Sequence, residues 1–421
     1  MAEGGECPKS YLSDIMYSKP NVPYTQGMIV LFRSAVHVVA AAAIACTAVG
    51  AGPASPSDPI KIGVILPLTG SSAGVAQDLL RGIQLAFSEN GNTVSGRKVE
   101  IVTADDQNTP ATALTEARRL VENDKVSLLM GSLNSSVALT LLPYAVRSQV
   151  PYITTTIAAE ITGSKKSPYA FRSAAAAGQM ERPLAWLLHR RGFKSVILMG
   201  SDYVAGHDST GMVGAQFTAL GGSIVKSIFP PQGDTDYGPY FSTLGDAKAD
   251  LIYGYFFGGD TLRFVRQYRS FGVTQQLAMS ASTISAAGVA QSLGKDVDGI
   301  LTAELWSPTL TDPLTIAFEK SFQKAYGDSP QATARSGYVE GRLVVTAIGI
   351  LKGNVPNGLA FAQALHDSHF KEPGGEMFSF DENNNATVST RLVRWQFVDG
   401  KATGKVLETI GGVTQDWKAP R

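Results

Sequence analysis

The sequence has little cysteine and no excess of either charge. Its two cysteines, Cys7 and Cys46, both lie near the N-terminus, and no cysteine follows them. The chain beyond Cys46 can therefore form neither a disulfide nor a thiolate metal site. Its 36 basic and 36 acidic residues give a net charge of zero. A neutral chain with scattered charges lacks the basic patch typical of proteins that bind nucleic acid or anionic membranes.

A long apolar run is also missing after the N-terminal region. Residues 1–27 are polar and aperiodic, and we expect that they are not part of the native protein. After Met28, a basic residue, the apolar run 35–49 and small residues toward Ala54 are typical of a secretory signal peptide over 28–54. The run is shorter than the roughly 20 residues that a membrane-spanning helix needs. An uncleaved N-terminal anchor is the alternative interpretation.

The common catalytic and phosphate-binding motifs are absent as well: GxGxxG, GxxxxGK[ST], GxSxG and HExxH. His366 and His369 could be read as a metal pair, but a solvated helix end is favoured because no third ligand is near in sequence. His207-Asp208 could form a proton relay, but an N-terminal helical turn is the favoured interpretation. Asp105-Asp106 could bind magnesium, but a helix cap is favoured there. The sequence thus predicts no catalytic residue, no metal site and no cofactor, and hence no enzyme.

What the sequence does contain is an alternation of short apolar strands with amphipathic helices. This alternation predicts a parallel α/β fold, and the length predicts two lobes. Strands are predicted at about 60–66, 98–104, 127–130, 151–154, 170–173, 194–200, 223–229, 250–256, 276–280 and 299–304. Helices are predicted over 75–89, 112–123, 135–147, 179–191, 206–220, 261–271, 313–326 and 333–351.

The C-terminal third breaks this alternation. The stretch 312–367 has no strand between its helices and is predicted to return to the first lobe. The segment MFSFDENNNATVSTRLVRWQFVDGK alternates apolar and polar residues around an Asn-rich turn. It therefore predicts a final strand pair that closes at that turn.

Several segments, in order, resemble the type I periplasmic solute-binding proteins of ABC importers. They are IKIGVILPLTG, GRKVEIVTADDQNTP, ARRLVENDKVSLLMGSLNSS and VPYITTT, and the similarity to the branched-chain amino-acid (leucine/isoleucine/valine) receptors runs from about 60 to 398. The resemblance implies two doubly wound, Rossmann-like lobes joined by three crossings. Lobe 1 would be 58–176 plus 306–387, and lobe 2 would be 177–305 plus 388–421. It also implies a periplasmic monomer that closes over a small molecule and delivers it to a membrane permease.

In the first lobe the resemblance points to two turns that follow strands. Ligands bind at the carboxyl ends of parallel strands, and a helix N-terminus favours a carboxylate. Asn134, Ser135 and Ser136 open such a helix, and the family's matching serine binds the ligand carboxylate. A simple N-cap is the alternative role for Ser135. The family's next ligand loop corresponds to Thr155, Thr156 and Ile157, with an ordinary polar turn as the alternative.

In the second lobe the turn Asp202-Tyr203-Val204-Ala205-Gly206 matches a family motif whose tyrosine contacts the ligand, so Tyr203 is a candidate, against a role as a core aromatic. Phe256 is a candidate cleft wall with its neighbours Tyr255 and Phe257, although side-chain alternation lets only some of them face the cleft. Tyr338 and Trp306 lie near the expected crossings. Each could contact the ligand or pack the hinge.

Ligand choice is predicted from a departure from the family. Amino-acid receptors of this family present an acidic residue to the ligand ammonium, and here Ser282 occupies the matching position, while a second acidic position falls within 174–177. A carboxylate ligand without an α-ammonium group is implied, and an aromatic or hydrophobic acid is favoured. The alternatives are a branched-chain amino acid, with Glu304 as the ammonium partner, and a ligand sensor that serves a signalling receptor.

Overall fold

The protein is described from a computed structural model over residues 58–244, 247–280, 283–286 and 288–420. The predicted signal peptide, the residues before it and Ser282 lie outside these ranges. No helix within them combines the length and the apolar character that crossing a membrane requires.

The first lobe is built on a mainly parallel sheet whose central strands are buried on both faces, which explains their continuous apolar sequences. Its elements are β1 (Ile60–Leu66), α1 (Ala73–Ser88), β2 (Thr93–Val94), β3 (Arg97–Asp105), α2 (Pro110–Arg118), β4 (Leu128–Gly131), α3 (Ser135–Arg147), β5 (Tyr152–Thr154) and β6 (Ala170–Arg172). In the described residues the strand order is β2-β3-β1-β4-β5-β6, and only β2 pairs antiparallel.

The second lobe repeats the same plan. Its elements are α4 (Glu181–Arg190), β7 (Ser195–Gly200), α5 (Val204–Ala219), β8 (Ser223–Ile228), α6 (Gly238–Ser242), β9 (Leu251–Tyr255), α7 (Gly259–Ser270), β10 (Gln276–Met279), α8 (Val289–Leu293) and β11 (Leu301–Glu304). Strands β7 to β11 pair in parallel with one another.

After β11 the chain returns to the first lobe and then crosses again to the second lobe. The remaining elements are α9 (Pro313–Tyr326), α10 (Ala332–Ile350), α11 (Gly358–His366), β12 (Phe370–Lys371), β13 (Met377–Phe378), β14 (Val388–Val398) and β15 (Lys401–Val413). Helix α10 packs along α1. Strands β14 and β15 complete the second sheet, in the order β15-β14-β11-β10-β9-β7-β8. The predicted class, two doubly wound α/β lobes, is confirmed.

Close contact between α1 and α10 fixes the N-terminal turn of α10 beside the interlobe cleft. A Cβ at Gly337 would lie 2.0 Å from the backbone oxygen of Leu79, so only glycine allows this approach. The carboxylate of Asp78 accepts a hydrogen bond from the N–H of Ala334 at 2.9 Å. Burial raises the pKa of Asp78 to about 6.

The predicted Asn-rich turn is present, but the longer last hairpin lies after it. Around the Asn-rich turn, Phe380 pairs antiparallel with Ala386, and the N–H of Thr387 donates to the backbone oxygen of Ser379 at 3.0 Å. Asn385 of this turn is buried and donates to the side chain of Gln179 at 2.8 Å. The sequence did not predict β15, which pairs with β14 across Asp399 and Gly400, whose φ angles of 52° and 77° suit a two-residue hairpin.

Candidate functional site

A cavity of about 50 Å³ lies between the two lobes, at the carboxyl ends of strands from both sheets. Three grooves of about 460, 690 and 380 Å³ are larger, but each is lined only by first-lobe residues at the outer surface. The interlobe cavity is the candidate site because ligands of open α/β sheets bind at the carboxyl ends of the strands. Among the described residues none that line it is charged.

Of the three residues predicted at the start of helix α3, one lines the cavity and two do not. Ser135 lines the cavity and is almost fully buried. Asn134 is the N-cap: its side-chain oxygen accepts from the N–H groups of Ser136 at 2.8 Å and Val137 at 3.4 Å. The cap is therefore Asn134 and not Ser135. Asn134 and Ser136 do not line the cavity.

The loop after β5 contributes all three of its predicted residues, since Thr155, Thr156 and Ile157 line the cavity. The N–H of Thr156 is held by the side chain of Thr154 at 3.2 Å, whereas Ile157 adds apolar surface. The first lobe thus offers hydroxyl groups beside an apolar wall.

The second lobe supplies aromatic wall residues, but not the predicted one. Tyr255 and Phe257 line the cavity, whereas Phe256 is fully buried and stacks on Phe264 with ring centroids 4.1 Å apart. Alternation along the strand explains why the middle residue points into the lobe. Tyr203 is half-buried and packs against Tyr255, with ring centroids 6.4 Å apart, so it supports the wall from behind.

The residues predicted near the crossings pack the first lobe and do not reach the cavity. The Tyr338 hydroxyl donates to Glu89 at 2.7 Å, and its ring lies 4.9 Å from that of Phe318. Trp306 is fully buried and donates to Thr315 at 3.1 Å. Both belong to an apolar cluster that joins α1, α9 and α10, so their place is structural packing.

Helix α10 contributes two cavity residues that the sequence reasoning missed, Thr333 and Ser336. The Thr333 hydroxyl is buried and has no hydrogen-bond partner within the described part of the chain. Both lie in the turn that Asp78 and the glycine contact hold in place. Their spacing of three residues, on a largely apolar helix, was the sequence signal that could have identified them.

The acidic groups near the cleft are engaged elsewhere. The region 174–177, where the family places an acid, brings Ala174 and Ala175 to the cavity. Glu304 is buried, accepts from the Ser285 hydroxyl at 2.5 Å and does not line the cavity. Glu181 accepts from the hydroxyls of Ser209 at 2.9 Å and Ser280 at 2.7 Å.

The histidine and aspartate pairs that were weighed as sites have structural partners. His207 pairs with Asp202 at 2.7 Å and stacks on Phe229, while His366 meets the side chain of Asn384 at 2.7 Å. Asp105 accepts from the Thr69 hydroxyl at 2.6 Å, and Asp106 from the Ser132 hydroxyl at 2.5 Å.

A family model described as "Periplasmic binding protein" matches residues 59–404. A Leu/Ile/Val-binding protein homolog of Brucella melitensis is 26% identical over 347 residues, which cover 81% of this chain and 89% of that protein.

Two solved structures are similar over the same region. One is a solute-binding protein of an ABC transporter from R. palustris in complex with benzoate: identity is 26%, coverage is 84% of this chain and 98% of that chain, and the TM-score is 0.79. The other is a solute-binding protein of an ABC transporter from Rhodopseudomonas palustris HaA2 in complex with p-hydroxybenzoic acid. Here identity is 27%, coverage is 85% of this chain and 99% of that chain, and the TM-score is 0.80.

Proposed function

We propose that this chain, which belongs to the periplasmic binding protein family, captures an aromatic or other hydrophobic carboxylic acid in its interlobe cleft. It is a solute-binding protein of the ABC-transporter kind and not an enzyme. Proteins of this kind deliver small molecules to a membrane permease, and the family implies a periplasmic location. Export through the signal peptide predicted over 28–54, and a monomeric state, are parts of the proposal.

The observation that carries the proposal is the distribution of polar groups around the cavity. Hydroxyls of Ser135, Thr155 and Thr156 lie on the first-lobe side, beside the N-terminus of α3, where a carboxylate is favoured by the helix dipole. Aromatic and aliphatic side chains such as Tyr255 and Phe257 complete the wall. A buried ammonium group would need an acidic partner, and none of the described lining residues is acidic.

The similar solute receptors bound to benzoate and p-hydroxybenzoic acid support the same ligand class. The cavity of about 50 Å³ is smaller than the roughly 150 Å³ cavity in which benzene is known to bind. We therefore expect the lobes, or the aromatic side chains on the second lobe, to shift when a ring enters.

A branched-chain amino acid is the second candidate, because the Brucella melitensis relative is a Leu/Ile/Val-binding protein homolog. That ligand would require an acidic side chain, such as Glu304, to turn toward the cleft.

A thermal-shift panel on the protein from Ser55 onward tests the proposal. It includes benzoate, 4-hydroxybenzoate, phenylpropenoates, short fatty acids and the common amino acids. A ligand at ~100 times its dissociation constant adds about 2.7 kcal/mol, a shift of several degrees. Shifts with the acids, and none with leucine, isoleucine or valine, would support the proposal. The reverse pattern would replace it with the amino-acid receptor.

A further inference from the structure

A fully buried arginine lies behind the loop that borders the cavity. Arg172 ends strand β6, and its side chain is fully buried. The guanidinium donates hydrogen bonds to the backbone oxygens of Thr156 and Ala158. Because Thr155, Thr156 and Ile157 line the cavity, this arginine holds the loop that forms one side of the candidate site.

The charge of Arg172 is not matched by a contacting carboxylate. Within the described residues its guanidinium meets backbone oxygens and the Thr162 hydroxyl at 3.4 Å, and its Nε has no hydrogen-bond partner. Asp208 and Asp381 favour the charged guanidinium through longer-range attraction, but neither forms an ion pair with it. Burial lowers the pKa of Arg172 to about 9, so it is a cation at neutral pH. A buried cation with so little compensation raises the electrostatic potential around it.

A buried acid that contacts the residue after Arg172 does not cancel this charge at neutral pH. Glu340 accepts a hydrogen bond from the Ser173 hydroxyl at 3.0 Å. Burial raises the pKa of Glu340 to about 8. Its carboxyl is therefore mostly neutral near pH 7.

One peptide joins the oxygen that faces Arg172 to the N–H of Ile157, a residue that lines the cavity. This peptide is trans, so when the Thr156 oxygen faces the guanidinium the N–H of Ile157 faces the opposite way. None of the described residues accepts from that N–H. The following pair shows the same arrangement with an anion in place: the Ala158 oxygen accepts from Arg172, and the N–H of Ala159 donates to Asp208 at 3.2 Å.

We propose that Arg172 is a positioning residue that makes the cleft selective for anions, by fixing the 155–158 loop and polarising the peptide whose Ile157 N–H then donates to a ligand carboxylate. This rests on the proposed function only in that the ligand carries a carboxylate. A hydrogen bond from a polarised donor to a charged oxygen is stronger than one to a neutral oxygen. The selectivity therefore concerns charge and not the shape of the ligand.

The test compares the affinity for each acid with the affinity for its neutral amide. Any general damage to the cleft weakens both ligands alike and therefore cancels in the ratio of the two affinities. Binding of acetate against acetamide, and of 4-hydroxybenzoate against 4-hydroxybenzamide, is measured by calorimetry at constant ionic strength. The proteins are the wild type, Arg172→Gln, Arg172→Lys and the control Arg182→Met. Arg182 also donates to a backbone oxygen, that of Gln415 at 2.7 Å, but in the second lobe.

The wild type, Arg172→Lys and Arg182→Met are expected to prefer the acid, and Arg172→Gln to lose about tenfold or more of that preference. An unchanged preference in Arg172→Gln, or an equal loss in the lysine and glutamine variants, would overturn the inference. If the glutamine variant does not fold, the wild type still decides, because equal binding of acetate and acetamide contradicts the inference. Preference for acetate without binding of 4-hydroxybenzoate would instead count against the aromatic ligand alone.

Discussion

The carboxylate of Asp208 on the second lobe accepts a hydrogen bond from the backbone N–H of Ala159 on the first lobe at 3.2 Å. A charged acceptor makes such a bond worth about 1.5–3 kcal/mol, enough to shift the ratio of open to closed lobes by at least tenfold. We expect Asp208→Ala to increase the radius of gyration of the unliganded protein in small-angle X-ray scattering.

The matched control is Asp202→Ala, because Asp202 is exposed and pairs with His207 of the same lobe. It should leave the radius of gyration unchanged. An equal radius for Asp208→Ala and the wild type would show that this contact does not hold the lobes together.

Ser135→Ala is expected to weaken binding of a carboxylate ligand by about tenfold, because it removes a hydroxyl donor to a charged group in a buried cavity. Ser136→Ala is the control, since Ser136 is adjacent but does not line the cavity. Calorimetric titration of both variants with 4-hydroxybenzoate checks the difference. Equal losses in the two variants would argue against a direct contact from Ser135.

Phe256→Ala is expected to destabilise the protein by about 3–5 kcal/mol, the usual cost of truncating a buried phenylalanine. Phe257→Ala should cost much less stability but change ligand affinity, because Phe257 is half-buried and faces the cavity. Urea unfolding and ligand titration of both variants measure the two effects. A larger loss of stability in Phe257→Ala would contradict the placement of the two rings.

Glu340→Gln is expected to alter the pH dependence of stability. Burial raises the pKa of Glu340 from 4.5 to about 8, so the folded protein holds a proton that the unfolded chain releases between these pH values. The stability contributed by the protonated form is complete below pH ~4.5 and is lost as the pH rises through 8. Relative to the variant, the wild type should lose up to ~1.4 kcal/mol per pH unit across this window.

Urea unfolding of the wild type and Glu340→Gln at several pH values from 4 to 9 provides the measurement. A difference in unfolding free energy that stays constant with pH would mean that Glu340 titrates near its ordinary value in the folded protein.

The fold was predictable because the main strands and helices of both lobes each satisfy their own pattern. Helices α3 and α9 begin and end at the predicted residues, since Asn134 and Asp312 cap them and their apolar faces repeat with helical spacing. The Asn-rich turn was predictable from its composition, and Phe380 pairs antiparallel with Ala386 across it. The buried contact of Asn385 with Gln179 was not predictable, because it joins residues far apart in the sequence.

The site was predictable only where local sequence sets the geometry. Ser135 and Thr155 follow strands, so the carboxyl ends of the sheet bring them together. Thr333 reaches the cavity only because distant helices α1 and α10 pack closely, and Arg172 acts through backbone oxygens that no motif reveals. Phe256 was preferred to its neighbours because the sequence does not indicate which face of the strand meets the cleft.

The most direct test of the account is a calorimetric titration of the wild-type protein from Ser55 onward with 4-hydroxybenzoate and, separately, with leucine. A receptor for aromatic acids is expected to show saturable 1:1 binding of 4-hydroxybenzoate and no detectable heat with leucine. Tight binding of leucine with no response to the aromatic acid would contradict the central claim, because the cleft would then have to supply an acidic partner for an ammonium group.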